Sequence, residues 1–490
     1  MTVSLMTDEC LAVPPVLGWA VLTGGAVALF ATYWDEAWHT DIGRDSAWIA
    51  PHLLLYGAMA VAGSAIAAWG VRTWWTTRSL RTALRYQPVL VAGLGGAATL
   101  VAAPIDQLWH ARFGRDAVLW SPPHMLVVFA SSALIAGLIA GMPHHRRAMR
   151  CAASILLFGN AIAVVFEYET DVPQFSETLY LPIFLATGLA VAWVARAAVP
   201  VRAPVTTMVL GYAVVRLGIA AALAVLGRSG PDLPVAVLGF ALVDLPLPRA
   251  VQRYAAGAAG ASALAWAAAA AGLSSQSPDA VTIVALPTII VSVMVGVVAG
   301  GFGRRGVAVA GAVAAAIVVA VTSTPVPAHA HDPGQGAPRG RIELVADSDD
   351  ARTISLRATV ADGCGGLAAS RLVARRAGGT VSAALRAEPG CVFSGRIAVP
   401  TEGRWFVYVE MLRDGQTLEA WVAVPAGHSA HVAEVRELYV PARAGSADRP
   451  VQIAAGAMLY LLGLALLVAG ARVVRRGPGA GPTGGVVAAR

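Results

Sequence analysis

Asp35-Glu36-Ala37-Trp38-His39, then Gly43-Arg44-Asp45, then Trp48-Ile49-Ala50-Pro51-His52, is a stretch that the chain contains twice. The second copy reads Asp106-Gln107-Leu108-Trp109-His110, Gly114-Arg115-Asp116, Trp120-Ser121-Pro122-Pro123-His124. Nine identical positions, with one inserted residue before Trp120, mark an internal duplication. Each copy joins two apolar runs, 12–34 to 48–72 and 88–107 to 122–142. Each run is close to the roughly 20 residues that cross a bilayer as a helix. The repeating unit is therefore a helical hairpin with a polar, His- and Asp-bearing tip.

Outward from the two hairpins, further apolar runs stand at 150–167, 178–198, 205–227, 231–248, 254–273, 280–302, 305–324 and 451–473, which makes about twelve expected transmembrane helices. Composition agrees. Of 490 residues, 57% are hydrophobic and 13% charged, about half the charge of a soluble domain. The formal net charge of +7 does not indicate nucleic-acid binding, because its arginines sit in short loops between apolar runs. Arg72, Arg78, Arg81 and Arg85 fill one such loop, and Arg146, Arg147 and Arg150 another. Arg196 with Arg202, Arg249 with Arg253, and Arg304 with Arg305 mark three more. Lys/Arg-rich loops stay cytoplasmic. Both repeat tips, the acidic stretch 167–177, and the loops 227–232 and 273–279 then face outward. So does the long polar segment 325–450, and both termini are expected in the cytoplasm. The Ala-, Val- and Arg-rich composition suggests a bacterial chain, hence a multi-pass protein of the bacterial plasma membrane.

Four regions follow: 1–145 with the duplicated hairpins, 146–324 as a further bundle, 325–450 as an external domain, and 451–490 as a last helix and tail. In the external region, 342–344, 353–360, 392–397, 405–412 and 418–424 read as short strands between turn residues, a small β-sandwich. Cys364 and Cys391 lie in this exported segment and can form a disulfide; Cys10 and Cys151 are expected to be free thiols. The chain opens without a basic leader of signal-peptide type. Gly303-Arg304-Arg305, the apolar run and Ala328-His329-Ala330 offer an internal signal-like alternative to an uncleaved helix.

The repeat supplies the chemistry. Asp35 and His39 are four apart, one helical turn, and His52 follows Pro51 at the start of the next helix. Asp106, His110 and His124 repeat the set, with Ser121 placed to cap the second helix. Two imidazoles and a carboxylate suit copper, zinc or iron; proton relay is another use of the same groups. Arg44 with Asp45, and Arg115 with Asp116, are expected to orient the ligands. The tryptophans Trp38, Trp48, Trp109 and Trp120 are expected in the interfacial belt. A second set of candidate ligands, His329, His331, His428 and His431, flanks the external domain and would form a metal site if its members meet at the domain's base. The stretch 167–177 reads as a solvated acidic loop that could attract cations. Arg216 and Asp244 read as a buried pair within the bundle.

The spacings Asp-x3-His-x12-His and Asp-x3-His-x13-His resemble the copper-site motifs of the C subunit of particulate methane and ammonia monooxygenases. The resemblance covers residues 30–125. It implies copper held by Asp35, His39 and His52, and by Asp106, His110 and His124; the family has Asn where this chain has Asp106. The external domain resembles periplasmic copper-binding β-sandwich domains and the β-domain of that family's B subunit, although those enzymes divide these parts among three subunits. The expected function is a copper-binding membrane protein of monooxygenase or oxidase type. The alternatives are copper uptake, resistance or delivery, or a metal-free membrane scaffold. Expected partners are the lipid bilayer, the metal ion, and membrane or periplasmic proteins.

Overall fold

The structure, a computed structural model, describes residues 9–42, 48–113, 119–173, 175–301, 338–361, 363–441 and 448–476; for 110, 111 and 291–301 it gives the backbone only. The first hairpin pairs α1 (Pro15–Asp41) with α2 (Ala50–Thr77). After the short α3 (Leu80–Arg85), the second pairs α4 (Gln87–Phe113) with α5 (Pro122–Ala140). Pro15, Pro51, Pro122 and Pro123 all stand in first turns, where the missing N–H costs nothing. Within the second hairpin, Gly95 and Gly137 let the backbones touch. A Cβ on Gly95 would lie 2.5 Å from the Ala130 carbonyl oxygen, and one on Gly137 would lie 2.6 Å from the Ala92 nitrogen.

The bundle continues with α6 (Arg147–Ile162), a 3-10 turn (Ala163–Val165), α7 (Phe166–Glu169), α8 (Tyr180–Ala198), α9 (Pro204–Val225), α10 (Ala250–Ala270), α11 (Pro278–Gly301) and α12 (Arg449–Arg476). Among the described residues, eight helical segments are long and apolar enough to cross a membrane, rather than the twelve expected. They are 15–41, 50–77, 87–109, 122–140, 147–169, 177–198, 204–225 and 449–476. The run 305–324 lies outside the described residues. The run 231–248 is a correction of kind: it forms a nine-residue 3-10 helix, Ala236–Asp244, after extended residues. A 3-10 helix rises about 2.0 Å per residue against 1.5 Å in an α-helix, so a short segment reaches far. Asp232, in the extended residues before it, receives the Ser275 N–H at 2.6 Å, and Asp244 at its end meets Arg196 and Thr206 at 2.8 Å each. It thus links the two ends of the bundle without a full α-helix.

The external region is one curled, nearly closed antiparallel sheet of nine strands, not two separate sheets. In chain order the strands are β1 (Pro338–Ser348), β2 (Thr353–Val360), β3 (Ala368–Arg376), β4 (Gly379–Ala384), β5 (Arg386–Glu388), β6 (Val392–Ala398), β7 (Gly403–Arg413), β8 (Gln416–Ala426) and β9 (Ala430–Tyr439). Their spatial order is β4-β3-β7-β8-β9-β1-β2-β6-β5. Ile342, Leu356, Leu372, Trp405, Val422 and Leu438 fill its interior. Cys364 and Cys391 are joined by a disulfide, with Cα atoms 5.3 Å apart.

This domain sits directly on the bundle. Val373, Phe406, Tyr408, Trp421 and Tyr439 form an apolar patch that receives Val172. Around the patch, Arg376 meets Asp171 at 2.7 Å and Glu177 at 3.2 Å. The Arg404 N–H donates to Asp171 at 2.9 Å, and Arg436 donates to the carbonyls of Asp41 and Ile42. The acidic stretch is therefore not a solvated loop but the bed on which the sheet rests. Every contact falls on a loop that the arginine pattern assigns to one side. At the bundle's opposite end, Arg150 donates to the carbonyls of Met142 and Ala198, and Arg146 to that of Val13.

Candidate metal centre

The tip of α1 and the start of α2 bring three side chains together. Asp35 Oδ1 lies 3.1 Å from His52 Nε2 and 3.8 Å from His39 Nδ1. The second hairpin repeats the cross-helix pair, with Asp106 Oδ1 3.3 Å from His124 Nε2. The same carboxylate oxygen thus meets the same ring nitrogen in both copies. The cause is local: a helix ends in Asp-x-x-Trp-His, the chain turns, and proline-led residues start the next helix antiparallel to it. The five described side chains are between 15% and 31% exposed, so an ion could reach them while most of the surrounding water is excluded.

Protein ligands bind such metals at about 2.0–2.2 Å, which puts tetrahedral donors about 3.4 Å apart. Separations of 3.1, 3.3 and 3.8 Å bracket that value, so donor chemistry and spacing suit copper, zinc or iron. The ring centroids of His39 and His52 are 6.2 Å apart and the planes are tilted by 54°, so the two rings flank Asp35 instead of closing on one point. Among the described residues, no three His, Cys, Asp or Glu side chains are arranged as a formed metal site. His110 has its backbone in α4, but its side chain is outside the described residues, as are Arg44, Asp45, Arg115 and Asp116.

One residue of this region escaped the sequence reading. Glu36, next to Asp35 and three before His39, is 5% exposed. It lies within electrostatic reach of His39 and Asp35, of Arg404 from the β-domain, and of His124 from the other repeat. The signal available in the sequence was a second acid beside the first, replaced in the other copy by Gln107. On α1, Tyr33, Glu36, Ala37 and Thr40 form one buried face at i, i+3, i+4 and i+7. Tyr33 meets Tyr212 at 3.2 Å and receives a hydrogen bond from Arg216.

Several other expectations resolve differently. Arg216 pairs with Glu169 at 2.7 Å and Asp244 with Arg196 at 2.8 Å, not with each other. Trp48 is 77% exposed. Trp109 instead packs against Phe113, Leu126 and Leu459, and Trp120 donates to the Val164 carbonyl at 2.9 Å, so these two knit helices together. Ser121 occupies the cap position of α5 but makes no side-chain cap bond. His329 and His331 lie outside the described residues. His431 stands five residues before Arg436 on β9, about 17 Å along the strand from that bundle contact at about 3.3 Å per residue. It pairs with Asp347 at 2.7 Å, near the end of β1 farther from Pro338. The His428 carbonyl accepts from the Ser348 hydroxyl at 3.0 Å.

The loop between α9 and the 3-10 helix carries one further buried acid. Burial raises Asp232 to about 6 even though Ser275 donates to it through both its N–H and hydroxyl. With Glu169, Tyr180 and Ser274 it lines a cavity of about 10 Å³, the size of a single water.

No family model, curated protein or solved structure matches this chain.

Proposed function

We propose that this chain is an integral membrane protein that holds transition-metal ions, copper first among them, at the outer ends of its duplicated hairpins. The observation that carries this reading is the recurrence of the carboxylate–imidazole pair across both hairpin tips, Asp35 with His52 and Asp106 with His124. The eight long apolar helices support the membrane setting, and the arginine-bearing end opposite the β-domain supports a cytoplasmic side there. On this reading Asp35, His39 and His52 hold one ion, and Asp106, His110 and His124 hold the second. Bound copper would supply one-electron redox chemistry, while the chain positions the ligands and the β-domain covers the end of the bundle.

Oxidation at the outer surface is favoured over passage of the ion through the bundle. Arg216 and Asp244, charges inside the described second half, are both taken up by partners, Glu169 and Arg196. The test is metal content of detergent-purified protein together with oxygen uptake in the presence of a reductant. About two copper ions per chain, falling to about one in His52→Ala or in His124→Ala, support the site. Stoichiometric copper with no oxygen uptake would shift the use to delivery. Copper content equal in wild type and both variants would remove the site.

A further inference from the structure

From His52 to Arg72, α2 rises about 30 Å at 1.5 Å per residue, the thickness of a bilayer's hydrocarbon core. Trp74, Trp75 and Arg78 follow, so they stand at the headgroup level away from the hairpin tips. Both tryptophans are exposed, Trp75 by 60%. Arg78 ends α2 in a left-handed conformation, and Ser79 opens α3 by accepting the Thr82 N–H at 3.2 Å. At about 100° per residue, buried Ala83 faces the protein, and Arg81 and Arg85 face directly away from it. Leu80 and Leu84 form a row between them, and they are 62% and 53% exposed. A helix with an outward apolar row beside a basic row suits the plane of the membrane interface.

A second group of arginines reaches the same edge on a different helix. Gly470 seats α12 against Ala133 and Ala136 of α5, and the Arg476 guanidinium donates to the Gln87 side-chain carbonyl at 3.5 Å. Gln87 starts α4, two residues past Arg85. Arg78, Arg81 and Arg85 thus share one edge of the bundle with Arg472, Arg475 and Arg476, and all six are exposed. The surrounding sequence offers them no acid: none stands between Asp45 and Asp106 or after Asp448. In the segments that the arginine pattern puts at this end, the acids are Asp8, Glu9 and Asp244, and Arg196 holds the last at 2.8 Å. Setting a cytoplasmic side needs arginines, but neither their convergence nor an exposed apolar row beside them. Like charges gathered without a counter-charge repel. The group therefore calls for an anion, and Trp75, Leu80 and Leu84 call for one that carries acyl chains.

We propose that this edge binds the headgroup of an anionic phospholipid. Its phosphate lies between α3 and the end of α12, and its acyl chains run along Leu80, Leu84 and the tryptophans. Basic clusters immediately beyond a membrane span recognise such lipids. The surface is at the opposite end of α2 from His52 and stands whether or not the hairpin tips hold metal.

The full chain, delipidated in neutral detergent, is titrated with phosphatidylglycerol or phosphatidylcholine, and bound lipid is counted by native mass spectrometry. Phosphatidylglycerol should bind at least about tenfold more tightly, since each arginine near an anionic surface contributes about fivefold. Arg81→Gln/Arg85→Gln/Arg476→Gln should bring the two lipids to within about threefold of each other. Arg339→Gln/Arg386→Gln/Arg396→Gln, which removes the same charge from exposed positions on the β-domain, should keep the preference. Equal binding of the two lipids by wild type, a preference that survives the first triple change, or an equal loss in both triples overturns the proposal. So does complete displacement of phosphatidylglycerol by inorganic phosphate or by poly-glutamate, which would assign the edge to a free anion or to an acidic protein. Melting of each variant checks the fold. If the first triple change unfolds the chain, Leu80→Ser/Leu84→Ser keeps every charge and should weaken phosphatidylglycerol binding at least about threefold; unchanged binding overturns the proposal.

Discussion

Truncating Arg376 to alanine should release the β-domain from the bundle without unfolding it. Arg376, on β3, is 3% exposed, and its guanidinium lies between Asp171 and Glu177 at 2.7 and 3.2 Å while also donating to the Arg404 carbonyl at 3.1 Å. Removing it leaves two carboxylates facing one another beside the Val172 patch. Breaking a buried pair from one side costs about 3–5 kcal/mol. Asp171 keeps 26% of its side chain exposed, so solvent screening places the effect near the lower end, about 3 kcal/mol. That is roughly 150-fold in the docking equilibrium. Hydrogen–deuterium exchange in detergent reads it directly. The amides of Arg404, which donates to Asp171, and of Ala377, which donates to the Pro173 carbonyl at 2.8 Å, should exchange faster. Those in the β1–β2 ladder, on the far side of the sheet order, should not. The triple change Arg376→Met, Asp171→Asn, Glu177→Gln should restore most of the protection, because no charge is then left unpaired. Exchange at Ala377 and Arg404 equal to wild type would refute the docking role, and a uniform rise over all nine strands would show unfolding in place of release.

Three further outcomes are expected. Asp232, raised to about 6 by burial, is charged at neutral pH at a cost; the cost is present above pH 6 and is relieved as pH falls from 6 toward 4. Wild type should therefore gain about 2.5 kcal/mol relative to Asp232→Asn between pH 7.5 and 4, measured by melting of the two proteins side by side, and a constant difference would contradict this. Replacing Cys364 and Cys391 together by serine opens a loop with a sequence separation of 27, and should cost the β-domain about 3.5 kcal/mol, read as faster exchange in β2 and β6. Gly95→Val, whose side chain would meet the Ala130 carbonyl, should cost about 1–3 kcal/mol and loosen metal at Asp106 and His124 more than at Asp35 and His52, measured by melting and copper titration.

The hairpins were legible because local chemistry governs them: apolar runs of fixed length, proline in the first turn, and an Asp–His pair one turn apart. Arg146 and Arg150, which the arginine pattern groups on one side, lie at the end of the bundle opposite the β-domain. The 3-10 helix at 236–244 was not legible, because its apolar composition is that of a helix and only its contacts at Asp232 and Asp244 set its length. Strands β3 and β9 were missed because their charged residues, Arg371, Arg375 and Arg376 or Glu434 and Arg436, hide the alternation; several of those charges face the bundle or acids of neighbouring strands. Pairings between distant segments, Arg216 with Glu169 or Arg376 with Asp171, carry no periodic signal at all. Glu36 was passed over for a related reason: beside Asp35 it reads as one more polar residue at a helix end, and its burial on the inner face of α1 shows only once the helices pack.

The account turns on imidazole ligation at the hairpin tips, and electron paramagnetic resonance of the copper(II)-loaded full chain tests it most directly. Wild type should show nitrogen superhyperfine coupling from imidazole. His39→Ala/His52→Ala should lose part of that signal, and adding His110→Ala/His124→Ala should abolish it together with the bound copper. A copper signal without nitrogen coupling, or one that survives all four substitutions, would contradict the central claim.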